Sequence, residues 1–214
     1  QAGVNLSLNP EQVAQCIDQI GVGFMFAPQH HSAMKYAIGP RKEMALRTLF
    51  NILGPLTNPA GARHYLLGVF DGALCRPMAE ALKALGAKHA LVVHAEEGLD
   101  EISLAGRTQV AELKDGEVQE YTLTAEDAGL QTQSLDGLQV NSSAESLALI
   151  EAAFAGEHAK AIDMIALNAG AAIYAADLAD SLVAGVEKAK AVMLNGAAAA
   201  KVKELSQFSQ AFAQ

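Results

Sequence analysis

Tyr65-Leu66-Leu67-Gly68-Val69-Phe70 and, after a helical stretch, His89-Ala90-Leu91-Val92-Val93-His94 are the two segments that decide the fold. Each is apolar at consecutive positions and so presents apolar groups to both faces, the pattern of a strand covered on both sides in a parallel sheet. Between them Leu74, Met78, Leu82 and Leu85 recur at helical spacing, and Gly86 stands where a helix terminator is expected. Strand, helix, strand in this order is a βαβ unit with a right-handed crossover. Further on, residues 108–113 and 118–123 flank Lys114-Asp115-Gly116-Glu117, whose Asp-Gly pair predicts a type I′ hairpin.

Upstream, Asn9 before Pro10 reads as a helix start, with Val13, Cys16, Ile17 and Ile20 on one face and Gly21 at the end. Residues 22–27 form a short apolar run that reads as a buried strand stopped by Pro28. Two short helices, 32–38 and 41–50, are expected on either side of Gly39-Pro40. Beyond Asn141 the chain is dominated by alanine. Ser142 and Glu145 have capping-box spacing, and helices are expected over 159–177, 181–194 and 197–212, packed flat on a sheet. The class is α/β.

Composition narrows the function. The chain has 214 residues, 51% of them hydrophobic and 18% charged, and a formal charge of −9. High hydrophobicity with sparse charge excludes disorder. Fifteen basic against 24 acidic side chains argue against a surface that neutralises phosphates, hence against sequence-independent nucleic-acid binding. Apolar runs break before the roughly 18 residues of a membrane-spanning helix. Cys16 and Cys75 have no metal-ligand spacing and cannot build a disulfide framework. A soluble, cytoplasmic protein is expected. The chain begins Gln1-Ala2-Gly3 without an initiator Met, as a processed chain or the later part of a longer one would.

Three segments could carry chemistry. Gly98-Leu99-Asp100-Glu101-Ile102-Ser103 follows the second apolar strand and so lies at its carboxyl end, where open α/β sheets bind ligands. Asp100 and Glu101 can share a hydrated Mg²⁺, which takes one or two carboxylates and fills its shell with water and substrate phosphates. The plainer alternative is a solvated acidic turn continuous with Glu96-Glu97. His30-His31-Ser32-Ala33-Met34-Lys35-Tyr36 with Arg41-Lys42-Glu43 could form an anion pocket, Arg41 offering a fork for a carboxylate. Alternatively Arg41 simply opens a solvated helix, and His31 bonds a carbonyl. The stretch from Asn51 to Pro59 is an ordered, apolar-sided loop in which Pro55 and Pro59 fix φ, either a pocket wall or a tight linker. Gly21-Val22-Gly23 is no phosphate loop, since no third glycine opens a following helix.

Taken together, Phe24-Met25-Phe26-Ala27-Pro28, His31 to Lys35, Pro40-Arg41-Lys42-Glu43, Arg47-Thr48-Leu49-Phe50-Asn51-Ile52-Leu53-Gly54-Pro55-Leu56-Thr57-Asn58-Pro59 and Gly98-Leu99-Asp100-Glu101-Ile102-Ser103 closely resemble the anthranilate phosphoribosyltransferase family, in order and spacing and across essentially the whole chain. The resemblance implies transfer of a phosphoribosyl group from phosphoribosyl pyrophosphate to the amine of anthranilate, releasing pyrophosphate, in tryptophan biosynthesis. It implies a fold similar to pyrimidine nucleoside phosphorylases: a large domain with a central, mostly parallel sheet flanked by helices, and part of a small helical domain. On this reading residues 1–29 and 60–214 form the α/β domain, and residues 30–59 are an excursion into the helical domain.

Carried over by position, Asp100 and Glu101 match the Mg²⁺-binding pair, and Arg41 matches the arginine that holds the anthranilate carboxylate. His31 and Pro55 match residues lining the anthranilate channel. A homodimer is implied, with neither a membrane nor a nucleic acid as partner. The family's amino-terminal helices and Gly-Thr-Gly-Gly-Asp phosphate loop have no counterpart in this sequence. The chain therefore reads as a carboxyl-terminal part, inactive alone. The alternatives are a non-catalytic homologue that binds nucleic acid and a pyrimidine nucleoside phosphorylase.

Overall fold

The computed structural model describes residues 1–26, 30, 54, 56 and 58–213. The expected helices at 32–38 and 41–50, and His31, Arg41 and Pro55, lie outside the described residues. The chain divides into two compact units, residues 1–61 with 199–214, and residues 62–198.

In the first unit, α1 (Pro10–Ile20) starts as its sequence dictates. Asn9 accepts from the Gln12 amide, Gln12 bonds back to the Asn9 amide, and Pro10 occupies the first turn. Gly21 ends it at φ 76°. Val13, Cys16 and Ile20 are buried with Leu8, covered by Val22, Met25, Leu205, Phe208 and Phe212. The strand expected over 22–27 is absent among the described residues 22–26. This run serves instead as an extended cover for α1. Gly23 lies so close that a Cβ there would stand 2.9 Å from both Val13 and Ile17.

In the second unit the sheet order is β1 (His64–Gly68), β2 (His89–Ala95), β3 (Thr108–Lys114), β4 (Glu117–Leu123). β1 and β2 pair in parallel, joined through a short 3₁₀ turn and α2 (Cys75–Ala84), as the βαβ reading requires. Gly86 ends α2 at φ 91°, its amide and that of Ala87 bonding back to Lys83 and Leu82. β2–β3 and β3–β4 are antiparallel. The α/β class therefore holds, but the described sheet is mixed rather than mostly parallel. The reason is local: Asp115 and Gly116 both adopt positive φ, 52° and 79°, and the tight turn returns β4 directly alongside β3.

β2 is covered on both faces, and Ala90 to Val93 are at most 1% exposed. Leu91 and Val93 share a core with Val110, Leu123, Ile102, Leu104 and the buried stripe Ile162, Ala166, Leu167, Ala171 of α4 (Ala159–Ala175). The alternate positions Ala90 and Val92 face the side on which α2 packs. β1 is apolar like β2, yet it stands at the edge of the described sheet and is half-buried throughout.

The alanine-rich region forms α3 (Ser143–Phe154), α4, α5 (Leu182–Leu194) and α6 (Ala197–Gln210), within two residues of expectation. Ser142 caps α3, but Glu145 bonds the Asn141 amide rather than that of Ser142. Of these helices, α4 makes the close approach to β1 and β2, while α5 packs chiefly on α4. The small residues explain that layering. A Cβ on Gly170 would lie 2.5 Å from the Val186 nitrogen, and one on Gly185 would lie 2.3 Å from the Gly170 carbonyl.

Candidate active site

The carboxyl ends of β1 and β2 lie side by side, and the loop carrying Asp100 and Glu101 follows β2 directly. Its shape is set by hydrogen bonds at both rims. Gly98 turns at φ 92°, its amide donating to Ala95, and the Ala95 amide donates to Leu99. Beyond the pair, Ile102, Ser103 and Leu104 are fully buried. The Ser103 amide donates to the Thr108 hydroxyl (3.1 Å), and its hydroxyl donates to Glu97 (3.1 Å). Glu97 thus has a structural role. Of the acids in the alternative solvated turn, Glu97 ties the loop, whereas the Asp100–Glu101 pair does not.

Asp100 and Glu101 are exposed, and neither carboxylate has a hydrogen-bond or ion-pair partner among the described residues. Partial burial of its carboxyl, and then the charge of Asp100, push Glu101 above the usual carboxylate range. Two adjacent carboxylates, one of them disfavoured by its neighbour's charge, are a fitting donor pair for a hard cation. Among the described residues no group of three or more His, Cys, Asp or Glu is arranged to hold a metal ion. That suits Mg²⁺, which keeps water and substrate phosphates in most of its shell, better than a caged metal.

Two residues that sequence reasoning missed shape this loop. Gly68, the last residue of β1, has the Asp100 carbonyl against its Cα: a Cβ there would lie 1.5 Å from that oxygen. Asn168, in the middle of α4, accepts from the Ile102 amide (2.9 Å) and donates to the Ile102 carbonyl (2.9 Å). A glycine inside an apolar strand was the available signal for the first. A lone Asn within an alanine-rich helix was the signal for the second.

At the opposite end of β2 lies a polar cluster that the sequence did not announce. His89 is 2% exposed. Its Nδ1 lies 2.7 Å from Asp177 and its Nε2 lies 2.9 Å from Glu112. Glu112 also accepts from the hydroxyls of Tyr121 and Tyr174, each at 2.9 Å. Burial, then the Glu112 charge, holds the Tyr121 phenol far above its ordinary range. Every carboxylate oxygen of Glu112 is used, so this end is built for structure.

Residues 1–199 match the family described as "Glycosyl transferase family, a/b domain". The chain belongs to this family. Within it, the chain is 61% identical over 216 residues to the anthranilate phosphoribosyltransferase of Marinobacter nauticus, covering 99% of this chain and 63% of that one. The crystal structure of anthranilate phosphoribosyltransferase from Thermus thermophilus superposes with a TM-score of 0.89 at 42% identity, over 97% of this chain and 62% of that one. The Saccharomyces cerevisiae enzyme "in complex with PRPP and Mg" has the same fold, with a TM-score of 0.87 at 23% identity over 98% of this chain and 61% of that one. The resemblance read from the motifs is thereby shown. The chain spans a little over three-fifths of the length of the relatives it matches. Among the described residues no helix is long and apolar enough to cross a membrane.

Proposed function

We propose that the protein to which this chain belongs transfers the phosphoribosyl group of phosphoribosyl pyrophosphate to the amine of anthranilate, releasing pyrophosphate, in tryptophan biosynthesis. The observation that carries this reading is an Asp100–Glu101 pair, unpartnered among the described residues, at the carboxyl ends of two parallel strands, in a chain 61% identical to an anthranilate phosphoribosyltransferase.

In the reaction the aryl amine attacks the ribose carbon as the bond to pyrophosphate breaks. Negative charge accumulates on the leaving group. Mg²⁺, which a yeast relative carries together with PRPP, supplies charge neutralisation when bound. Asp100 and Glu101 are the residues that would hold it, from a loop fixed at both rims. Arg41 grips the anthranilate carboxylate and turns an encounter into an attack geometry. His31 and Pro55 line the path of that substrate. The neutral aryl amine is already a nucleophile, so no strong base is required.

A homodimer in the cytoplasm, with residues 30–59 crossing into a helical domain, completes the reading. The −9 charge disfavours the nucleic-acid-binding alternative. The test is product formation by the full-length protein. Consumption of anthranilate that depends on both PRPP and Mg²⁺ is expected. Phosphorolysis of a pyrimidine nucleoside without anthranilate turnover would overturn the assignment in favour of a nucleoside phosphorylase.

A further inference from the structure

We infer that Asn168 is a positioning residue for the cation-holding pair, acting through the backbone of Ile102. The inference rests on the reading of Asp100 and Glu101 given above. Its geometry stands independently of that reading.

Asn168 treats Ile102 as a neighbouring strand would. Its Oδ1 accepts the Ile102 amide and its Nδ2 donates to the Ile102 carbonyl, both at 2.9 Å, while Nδ2 also reaches the Met164 carbonyl (3.2 Å) one turn back on α4. Three of the amide's hydrogen-bonding sites are therefore used. Ile102 is fully buried and directly follows Glu101, so its main-chain groups would otherwise be costly orphans. No other polar side chain replaces this arrangement. Aspartate lacks the donor for the carbonyl, serine is too short to span to both groups, and glutamine carries its amide one methylene too far.

The clamp works against a second fixed surface. On the preceding side the Asp100 carbonyl rests on Gly68 of β1. That carbonyl lies between the Cα atoms of Asp100 and Glu101, and the Asn168 clamp directly follows Glu101, so the main chain of the pair is held at two points. α4 is itself anchored in the core by Ala166, Leu167 and Ala171, which are fully buried around Asn168. The helix thereby transmits a rigid reference to a loop whose acidic side chains have no partners among the described residues. For a site to which the described residues offer two carboxylates, the orientation of the pair decides how well it can bind, and outer contacts of this kind typically govern about ten- to hundredfold in metal affinity.

The test uses the full-length protein and Mn²⁺, its binding followed by electron paramagnetic resonance with PRPP saturating. Asn168→Ala is expected to weaken Mn²⁺ at least tenfold and to speed hydrogen exchange at the Ile102 amide, while anthranilate affinity and cooperative unfolding persist. Asn168→Ser, which also cannot span to Ile102, is expected to do the same and serves in its place if the alanine variant fails to fold. A lowered melting temperature with unchanged Mn²⁺ affinity in the folded variants would overturn the inference and leave Asn168 a structural residue. Asp100→Asn with Glu101→Gln is the control: if it leaves Mn²⁺ affinity at the wild-type value, the reading of the pair itself is overturned. If the control weakens binding and the Asn168 variants do not, only the inference falls.

Discussion

The two ends of β2 use the same side chains to opposite ends. At its amino end, Glu112 accepts from His89, Tyr121 and Tyr174, and Asp177 closes the other side of the His89 ring. At its carboxyl end, the Asp100 and Glu101 side chains meet no partner among the described residues, although the main chain of Ile102 and Ser103 directly after them is hydrogen-bonded to Asn168 and Thr108. One helix serves both ends: α4 places Asn168 under the acidic loop and Tyr174 against Glu112, and Asp177 follows it at φ 57°. A carboxylate whose oxygens are all satisfied by protein donors stabilises the fold. One held in place but left without donors is available to a cation from outside. Their partners, more than the residues themselves, separate structure from function.

The comparison breaks most sharply at the open end. Asp100→Asn with Glu101→Gln in the full-length protein is expected to lower Mg²⁺-dependent turnover on the order of a thousandfold, the several kcal/mol that charge neutralisation of a leaving group supplies. Stability and anthranilate binding should be nearly unchanged, as steady-state kinetics and thermal unfolding would show. Loss of folding with the activity would mean that this pair, too, is structural.

The closed end should behave in reverse. His89→Ala removes a buried partner of Glu112, whose side chain is 12% exposed. About 3 kcal/mol of unfolding free energy is expected to go, the low end for breaking a buried pair because both tyrosine hydroxyls remain. Urea unfolding measures it. Mn²⁺ affinity of the folded variant should not move.

Arg41→Ala sharpens the contrast by perturbing the other substrate. A rise in KM for anthranilate of about thirtyfold, the worth of a charge-assisted fork, with unchanged Mg²⁺ dependence, is expected from initial rates. A coupled change in Mg²⁺ dependence would argue against separate roles.

The smallest effect is in acid. Hydrogen bonding to His89, and then the charges of His89, His64 and Lys114, lower the Asp177 carboxyl below its ordinary 3.8. Its stabilisation is therefore present above about pH 4 and is lost as pH falls through the lower folded value. Asp177→Asn should flatten the stability profile in that acid window and remove the small stabilisation that the carboxylate supplies near neutrality, as urea unfolding at a series of pH values would show. An unaltered acid limb would show that the exposed carboxyl contributes nothing to the closed end.

Local signals carried most of the fold. Asn9-Pro10, Asp115-Gly116, Gly86 and Ser142 each announce a turn or cap, because they act on their own backbone. The doubly apolar segment at 89–94 was correctly read as a covered strand. The run at 22–26 was not a strand, because apolar composition says that a segment is covered and not whether it is paired. The antiparallel half of the sheet follows from the hairpin, whose pairing with β2 no local motif encodes.

At the proposed site, Asp100 and Glu101 stand out in the sequence through their position after a strand. Gly68 and Asn168 were not, since each acts through a residue more than 30 positions away in the sequence. The His89 cluster was hidden for the same reason: its members lie at 89, 112, 121, 174 and 177.

The contrast between the two ends can be read in one experiment. Substoichiometric Mn²⁺ added to the isotopically labelled full-length protein with PRPP broadens amide resonances near the bound ion. The account predicts broadening at residues 98–103 and sharp signals at His89, Glu112 and Asp177. Broadening centred on the His89 cluster, or none at 98–103, would contradict it.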